Sequence, residues 1–360
     1  MLDFTSALYL GIEHASRSLP GWDRLTLGKP AALESPPGTS QAEKQLAALS
    51  GCERASLASS TLHLFLDLFS VLARHDVNIF LDEGSYPIAR WGVERAACLG
   101  VKTRTFPQHD AEGLHAALKS ADSKPPVIVA DGYCPGCGKA APLTEYLACA
   151  TERGGLLVID DTQALGIFGQ PAPWAPYGRG GGGSMRRAGL SSGRLVMGSS
   201  LAKAFGVPVA VLAGSAFLVE EFERRSACRV HCSPPSVAVI AAAARALQIN
   251  RHCGDALRFR MAQLVSRLRS GLRRLGLIAN AGLFPVQPLR LPEHLDAGEL
   301  HEALQKRGVQ TVLHAGTNDT RARISFVVTA RHAFHEIDQA ITGLADAMTV
   351  AQKCRLKRSI

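Results

Sequence analysis

Short apolar runs alternate with stretches of helical spacing, and this alternation is the strongest constraint on the fold. Apolar strands separated by helices are typical of a mostly parallel sheet that is covered on both faces. The sequence therefore predicts an α/β domain built on seven strands. The predicted strands are Ala55–Ala58, Asn78–Leu81, Val101–Phe106, Val127–Asp131, Leu156–Asp160, Arg194–Met197 and Val209–Ala213.

Helical stretches connect most of these strands. Only a short loop separates the last two strands, so one of them is a candidate for an antiparallel strand. Ahead of the first strand, Ser40 and Glu43 have the spacing of a capping box and predict a helix that stops at Gly51. The other predicted helices are Leu62–Arg74, Ile88–Leu99, Gly113–Lys119 and Leu143–Arg153.

The pattern changes from about Ser236, where longer helices and fewer strands predict a smaller α+β domain. The expected domains are an N-terminal arm with the first helix (1–45), a large α/β domain (46–245) and a small C-terminal domain (246–360). The glycine-rich run Gly178–Ser184 is predicted to be a mobile loop. The elements expected after Ser236 are helices Val237–Asn250 and Leu257–Leu275, strand Phe284–Leu291, helix Ala297–Arg307, strands Val309–Leu313 and Ala322–Val328, and helix His335–Met348.

Composition excludes several classes of function. The chain is 46% hydrophobic with no apolar run of membrane-spanning length, and its start lacks the pattern of a secretory signal. Nine scattered cysteines argue against a disulfide framework and favour the cytoplasm. The net charge of +9 is not focused on one element, so a nucleic-acid partner is not expected. Cys134 and Cys137 have no second ligand pair nearby, so no metal site is expected.

Lys203 and Asp160 are the residues whose positions indicate chemistry. Lys203 lies between two apolar strands, where it is either a cation at the tip of a hairpin or an amine that forms a Schiff base with a carbonyl. Asp160 ends a buried strand, where ligands bind in parallel sheets, although it could also cap a turn. Together they suggest pyridoxal 5'-phosphate, which needs a lysine and an acid at its ring nitrogen.

The order of motifs resembles the α-oxoamine synthases, a group of fold-type I pyridoxal phosphate-dependent transferases. Asp160–Gly169 is similar to the family's Asp-Asp-Ala-His-x-x-Gly-x-x-Gly, and Ser200–Gly206 to Thr-x-x-Lys-x-x-Gly. Arg321–Ser325 is similar to Arg-Leu-Arg-Ile. Further matches are Asp3–Gly11, Phe106–Asp110 and Gly138–Leu143. Six such motifs occur in the family's order, and the similarity covers most of the chain.

The resemblance implies a role for individual residues. Lys203 would form the internal aldimine and move protons at the substrate Cα, and Asp160 would pair with the pyridine nitrogen. The cofactor phosphate would be held by Ser60, Thr61, Leu62 and Ser200, and by His231 of the partner subunit in a homodimer. Arg323 would clamp the substrate carboxylate.

Two family histidines are replaced in this chain. Tyr86 stands where the family has the histidine that stacks on the ring, and Gln163 where it has the histidine that contacts the phenolic oxygen. Neither replacement carries protons at neutral pH as histidine does. The expected reaction is condensation of an amino acid with an acyl thioester, carried by coenzyme A or a carrier protein. Transamination and a non-catalytic partner subunit remain the alternatives.

Overall fold

The computed structural model describes residues 1–15, 17, 19–22, 25–279, 281–314 and 321–358. Its strands are β1 (Leu2–Asp3), β2 (Arg54–Ala58), β3 (Asn78–Asp82), β4 (Lys102–Phe106), β5 (Pro126–Asp131), β6 (Tyr133–Cys134), β7 (Lys139–Ala140), β8 (Leu156–Asp160), β9 (Gln170–Ala172), β10 (Ala175–Arg179), β11 (Leu195–Ser200), β12 (Ala210–Gly214), β13 (Ile278–Ala279), β14 (Val286–Arg290), β15 (Val309–Gln310), β16 (Val312–His314) and β17 (Arg323–Val327). Its helices are α1 (Thr39–Ser50), α2 (Thr61–Leu72), α3 (Pro87–Cys98), α4 (Ala111–Lys119), α5 (Leu143–Glu152), α6 (Gly183–Ala188), α7 (Ala216–Arg225), α8 (Ala227–His231), α9 (Val237–Arg274), α10 (Ala297–Lys306) and α11 (Phe334–Arg358).

A seven-stranded sheet forms the core of the larger part, as the sequence predicts. Its strand order is β2-β12-β11-β8-β5-β3-β4. All neighbours are parallel except β12, which runs antiparallel to both β11 and β2. Strands β3 and β8 are buried along their whole length, because helices cover both faces of the sheet. The expected antiparallel strand is therefore confirmed. It is β12, the strand that follows Lys203 and lies between β11 and β2.

Two compact units divide the chain. The larger comprises Ile12–Cys134 and Ala140–Asp255, and the smaller comprises Met1–Gly11, Pro135–Lys139 and Ala256–Ile360. Within the smaller unit, β13, β14, β17 and β16 form an antiparallel sheet in that order, and β1 pairs with β15. None of the described helices is both long enough and apolar enough to cross a lipid bilayer.

One long helix replaces the two that were predicted after Ser236. Helix α9 runs without a break from Val237 to Arg274. Gly254 lies inside it and is buried. A glycine in a helix costs roughly 1 kcal/mol relative to alanine, which packing can outweigh. The division between the two units falls within this helix, after Asp255.

The glycine-rich run is not the predicted mobile loop. Its first residues belong to β10, and its last residues begin α6. The amide of Gly183 donates to Phe168 O at 2.8 Å, and the amide of Ser184 donates to Asp161 Oδ2 at 3.0 Å. Gly183 has a φ of 89°, and a Cβ there would lie 1.9 Å from Asp161 Oδ2. Glycine is therefore required for close packing at this point.

The predicted capping box is also wrong. Helix α1 begins two residues earlier than the capping box predicts, after Gly38, and no side chain caps it. Glu43 turns to the sheet instead, where its Oε1 accepts a hydrogen bond from the amide of Leu57 at 2.9 Å. The predicted stop at Gly51 is confirmed, since this glycine adopts the left-handed conformation with a φ of 82°.

Candidate active site

The carboxyl ends of the parallel strands bring most of the predicted site residues to one edge of the large sheet. Strands β5, β8 and β11 are adjacent, and Asp131 pairs in register with Asp160. Asp160 in turn pairs with Gly198, two residues before the end of β11 at Ser200. Ligands bind at this edge in sheets of this type. The arrangement therefore places Asp160, Asp131 and the start of the lysine loop side by side.

Lys203 lies in the tight loop between β11 and β12. The amide of Leu201 donates to Val209 O at 2.8 Å, which closes the base of the loop. The lysine side chain is only partly exposed. Burial lowers the pKa of its ammonium, while the carboxylates of Asp160 and Asp131 act in the opposite direction. This amine loses its proton more readily than a fully exposed lysine, as a Schiff-base lysine must.

Asp160 is a buried carboxylate at the end of β8. Its Oδ1 accepts a hydrogen bond from the amide of Thr162 at 3.0 Å. Burial raises its pKa, and hydrogen bonds from the Thr162 hydroxyl and amide, together with the charge of Lys203, act against this rise. A buried carboxylate with few donors is suited to bind a cationic partner.

Asp131 is a site residue that the sequence prediction missed. Its Oδ1 accepts a hydrogen bond from the amide of Tyr86 at 3.1 Å. Burial and the neighbouring charge of Asp160 raise its pKa well above the usual value for aspartate. The signal was present in the sequence, because Asp131 ends an apolar parallel strand just as Asp160 does.

Thr162 is a second residue that was missed. Its hydroxyl oxygen accepts a hydrogen bond from the amide of Ser200 at 3.0 Å. It therefore connects the turn after β8 to the end of β11, three residues before Lys203. The sequence shows a threonine where the α-oxoamine synthase motif has alanine, but only the strand register shows what its hydroxyl reaches.

Tyr86 and Gln163, which stand in place of the two family histidines, lie at the same edge of the sheet. Tyr86 immediately precedes α3, which starts with Pro87, and its side chain is 55% exposed. Its position is fixed by the hydrogen bond that its backbone amide donates to Asp131 Oδ1. Gln163 follows Thr162 directly and is half-buried.

The residues expected to hold a phosphate flank the antiparallel strand β12. Ser60 caps the start of α2, and its hydroxyl accepts from the amide of His63 at 3.3 Å. Thr61 and Leu62 form the first turn of this twelve-residue helix, where free amides and the helix dipole favour an anion. Ser200 lies across β12, since Ala210 pairs with both Ser200 and Ala58.

His231 and Arg323 belong to other elements than these strand ends. His231 is the exposed last residue of α8 in the larger unit. Arg323 belongs to the smaller unit, where it begins β17 and is exposed. Its Nη1 donates to Gly136 O at 3.4 Å.

The chemistry of these side chains fits pyridoxal phosphate. An aldehyde requires an amine that can lose its proton, and the pKa of Lys203 is lowered. A protonated ring nitrogen requires a carboxylate, and Asp160 and Asp131 place two carboxyl groups beside a single lysine. A phosphate requires amides and hydroxyls, which Ser60 and the first turn of α2 supply.

Comparison with known proteins agrees with this assignment. Residues 28–342 match the profile of the class I and II aminotransferases. The chain is 30% identical over 315 residues to the 8-amino-7-oxononanoate synthase of Halorhodospira halophila, which covers 85% of this chain and 73% of the relative. It thus belongs to the class I and II aminotransferase family, and within it to the α-oxoamine synthases that its motifs indicate.

Two solved structures share the fold. The serine palmitoyltransferase of Sphingomonas wittichii superposes with a TM-score of 0.84 at 20% identity, covering 96% of this chain and 87% of the other. The 8-amino-7-oxononanoate synthase of Francisella tularensis superposes with a TM-score of 0.77 at 20% identity, covering 97% and 98%. The predicted α/β fold with a mostly parallel seven-stranded sheet is therefore confirmed.

Proposed function

We propose that this protein is a pyridoxal phosphate-dependent α-oxoamine synthase. It joins an amino acid to the acyl group of a thioester, with release of carbon dioxide and the free thiol. The observation that carries the proposal is the placement of Lys203 beside Asp160 at the carboxyl edge of the sheet. Its relationship to 8-amino-7-oxononanoate synthases favours condensation over transamination.

Lys203 and Asp160 have the central roles in this proposal. Lys203 would hold the cofactor covalently and would move a proton at the substrate Cα. Asp160 holds the ring nitrogen in its protonated form. When bound, pyridoxal phosphate supplies an electron sink that stabilises negative charge at that carbon.

The phosphate contacts in this proposal come from two subunits. Ser60, Thr61 and Leu62 present the N-terminal turn of α2 to the phosphate, and Ser200 supplies a hydroxyl from the end of β11. A further contact comes from His231 of the partner subunit. Because His231 is exposed in the single chain, it is available to a second copy, and the proposal includes a homodimer.

Tyr86 and Gln163 orient the cofactor ring. The exposed ring of Tyr86 stacks on it, while the amide of Tyr86 keeps the residue in place. Gln163 donates a hydrogen bond to the phenolic oxygen. Arg323 binds the substrate carboxylate, a role that suits the planar guanidinium.

The acyl donor in this proposal is a thioester of coenzyme A or of a carrier protein, and the protein acts in the cytoplasm. The test is to incubate the reconstituted protein with single amino acids and a panel of acyl thioesters. Serine with a palmitoyl thioester is one pair, as the name of a structural relative suggests. Carbon dioxide and free thiol released in equal amounts support condensation. A keto acid released without the thioester indicates transamination instead.

A further inference from the structure

The loop that carries Lys203 is held at its start and at its end by hydrogen bonds within the loop. The amide of Ala202 donates to Ser200 Oγ at 3.2 Å. The amide of Leu201 donates to Val209 O at 2.8 Å, where the chain leaves the loop. These contacts fix the residues before Lys203 and the return to β12.

The residues directly after Lys203 pack against the turn that follows β8. Ala204 and Phe205 are both buried. A Cβ at Gly166 would lie 2.5 Å from the Cβ of Ala204, so the turn and the loop are in close contact. Burial of this kind removes water from the backbone, and its carbonyl groups then need partners within the protein.

His14 supplies such a partner from the N-terminal segment. Its Nε2 lies 3.0 Å from Phe205 O. A carbonyl oxygen only accepts hydrogen bonds, so Nε2 carries a proton and is the donor. The two residues are 191 positions apart in the sequence, and both belong to the larger unit. The N-terminal segment therefore reaches the lysine loop through this ring.

The other ring nitrogen of His14 shows that packing alone does not account for a histidine here. This nitrogen, Nδ1, is buried and has no hydrogen-bond partner among the described residues. A buried polar atom without a partner costs roughly 1–3 kcal/mol, so an apolar side chain would fill the same space at less cost. The contact that explains the histidine is the one with Phe205 O.

We propose that His14 is a positioning residue for Lys203. By holding the carbonyl group of Phe205, it keeps the loop in the conformation that presents the lysine amine to the aldehyde of pyridoxal phosphate. The proposal rests on the proposed function, in which Lys203 binds this cofactor. His14 lies outside the six motifs that resemble the α-oxoamine synthases, so the resemblance assigns it no role.

The rate at which pyridoxal phosphate attaches covalently to the protein tests this role. His14→Phe keeps a flat ring but cannot donate, and we expect it to slow attachment about threefold to tenfold, the effect of one hydrogen bond. His14→Gln places an amide nitrogen near the position of Nε2 and should react within about twofold of the wild-type rate. His14→Ala replaces the phenylalanine variant if circular dichroism shows that the latter is misfolded.

A matched control changes another histidine. His252 is exposed on α9, so His252→Phe should attach the cofactor at the wild-type rate. A second control removes the lysine that His14 is proposed to position. In the Lys203→Ala background, His14→Phe should change the noncovalent affinity for pyridoxal phosphate, measured by equilibrium dialysis, by less than about twofold.

Three results would overturn the proposal. The first is a wild-type rate of attachment in His14→Phe, and the second is a rate in His14→Gln as slow as that of His14→Phe. The third is a loss of affinity in the Lys203→Ala background as large as the loss of rate, which would indicate a general structural role. If the wild-type protein itself attaches no cofactor, the proposed function fails instead.

Discussion

Glu43 of α1 and Leu57 of β2 are joined by a hydrogen bond of 2.9 Å from the Leu57 amide to Glu43 Oε1. Leu57 is buried, so its amide would have no partner without this side chain. We expect Glu43→Ala to lower the free energy of unfolding by about 1–3 kcal/mol, measured by urea denaturation. Lys44→Ala, an exposed change in the same helix, should cost less than about 0.5 kcal/mol. An equal loss of unfolding free energy in the two variants would show that the hydrogen bond between Glu43 and Leu57 contributes nothing to stability.

Asp161 should make stability depend on pH. Burial raises its pKa to about 7, although the hydrogen bond from the Ser184 amide acts against this rise. The folded chain therefore binds more protons than the unfolded chain between about pH 4 and pH 7, and this contribution to stability is lost as the pH rises through that range. By linkage the loss is on the order of 4 kcal/mol.

Urea unfolding of Asp161→Asn at several pH values checks this prediction. Asparagine still accepts the amide of Ser184 but does not ionise, so the variant should gain stability over wild type as the pH rises from 5 to 8. The exposed Asp76 offers a control, and Asp76→Asn should show no such gain. A difference between Asp161→Asn and wild type that stays constant with pH would contradict the assignment.

Arg323 should act on substrate binding if it clamps the carboxylate. We expect Arg323→Ala to raise KM for the amino acid about 10- to 100-fold, since a hydrogen bond to a charged group is lost. Arg321→Ala removes another exposed arginine two residues away and should leave KM within about twofold. Steady-state kinetics with the amino acid as the varied substrate distinguish the two. An equal effect of both changes would indicate general electrostatics instead.

The sequence predicted the large sheet well because most of its strands are apolar and β-branched residues recur in them, which is a local signal. It identified Lys203 and Asp160 for a similar reason, since Asp160 ends an apolar strand and Lys203 lies in the short loop after another. Thr162 was missed because the partner of its hydroxyl depends on which strands are neighbours in the sheet, whereas Asp131 ends an apolar strand and could have been identified locally. Glu43 was assigned to a local cap, although its partner lies in the following strand. Contacts set by tertiary register are not visible in local spacing.

The glycine-rich segment is a second case in which tertiary contacts could not be predicted from local sequence. Several glycines in succession indicate flexibility when they are considered alone. Here Gly183 is held against the carboxylate of Asp161, which is distant in sequence. Only a glycine lets the backbone at position 183 approach this carboxylate so closely. The residues on either side form regular structure, in β10 and α6.

The proposed function depends above all on a covalent bond between Lys203 and pyridoxal phosphate. The most direct measurement is borohydride reduction of the reconstituted protein, followed by peptide mass spectrometry. We predict a visible absorption band before reduction and the mass of the reduced cofactor on the peptide that contains Lys203. Lys203→Ala should show neither. A wild-type protein without the band, or with the cofactor attached to a different lysine, would contradict the account.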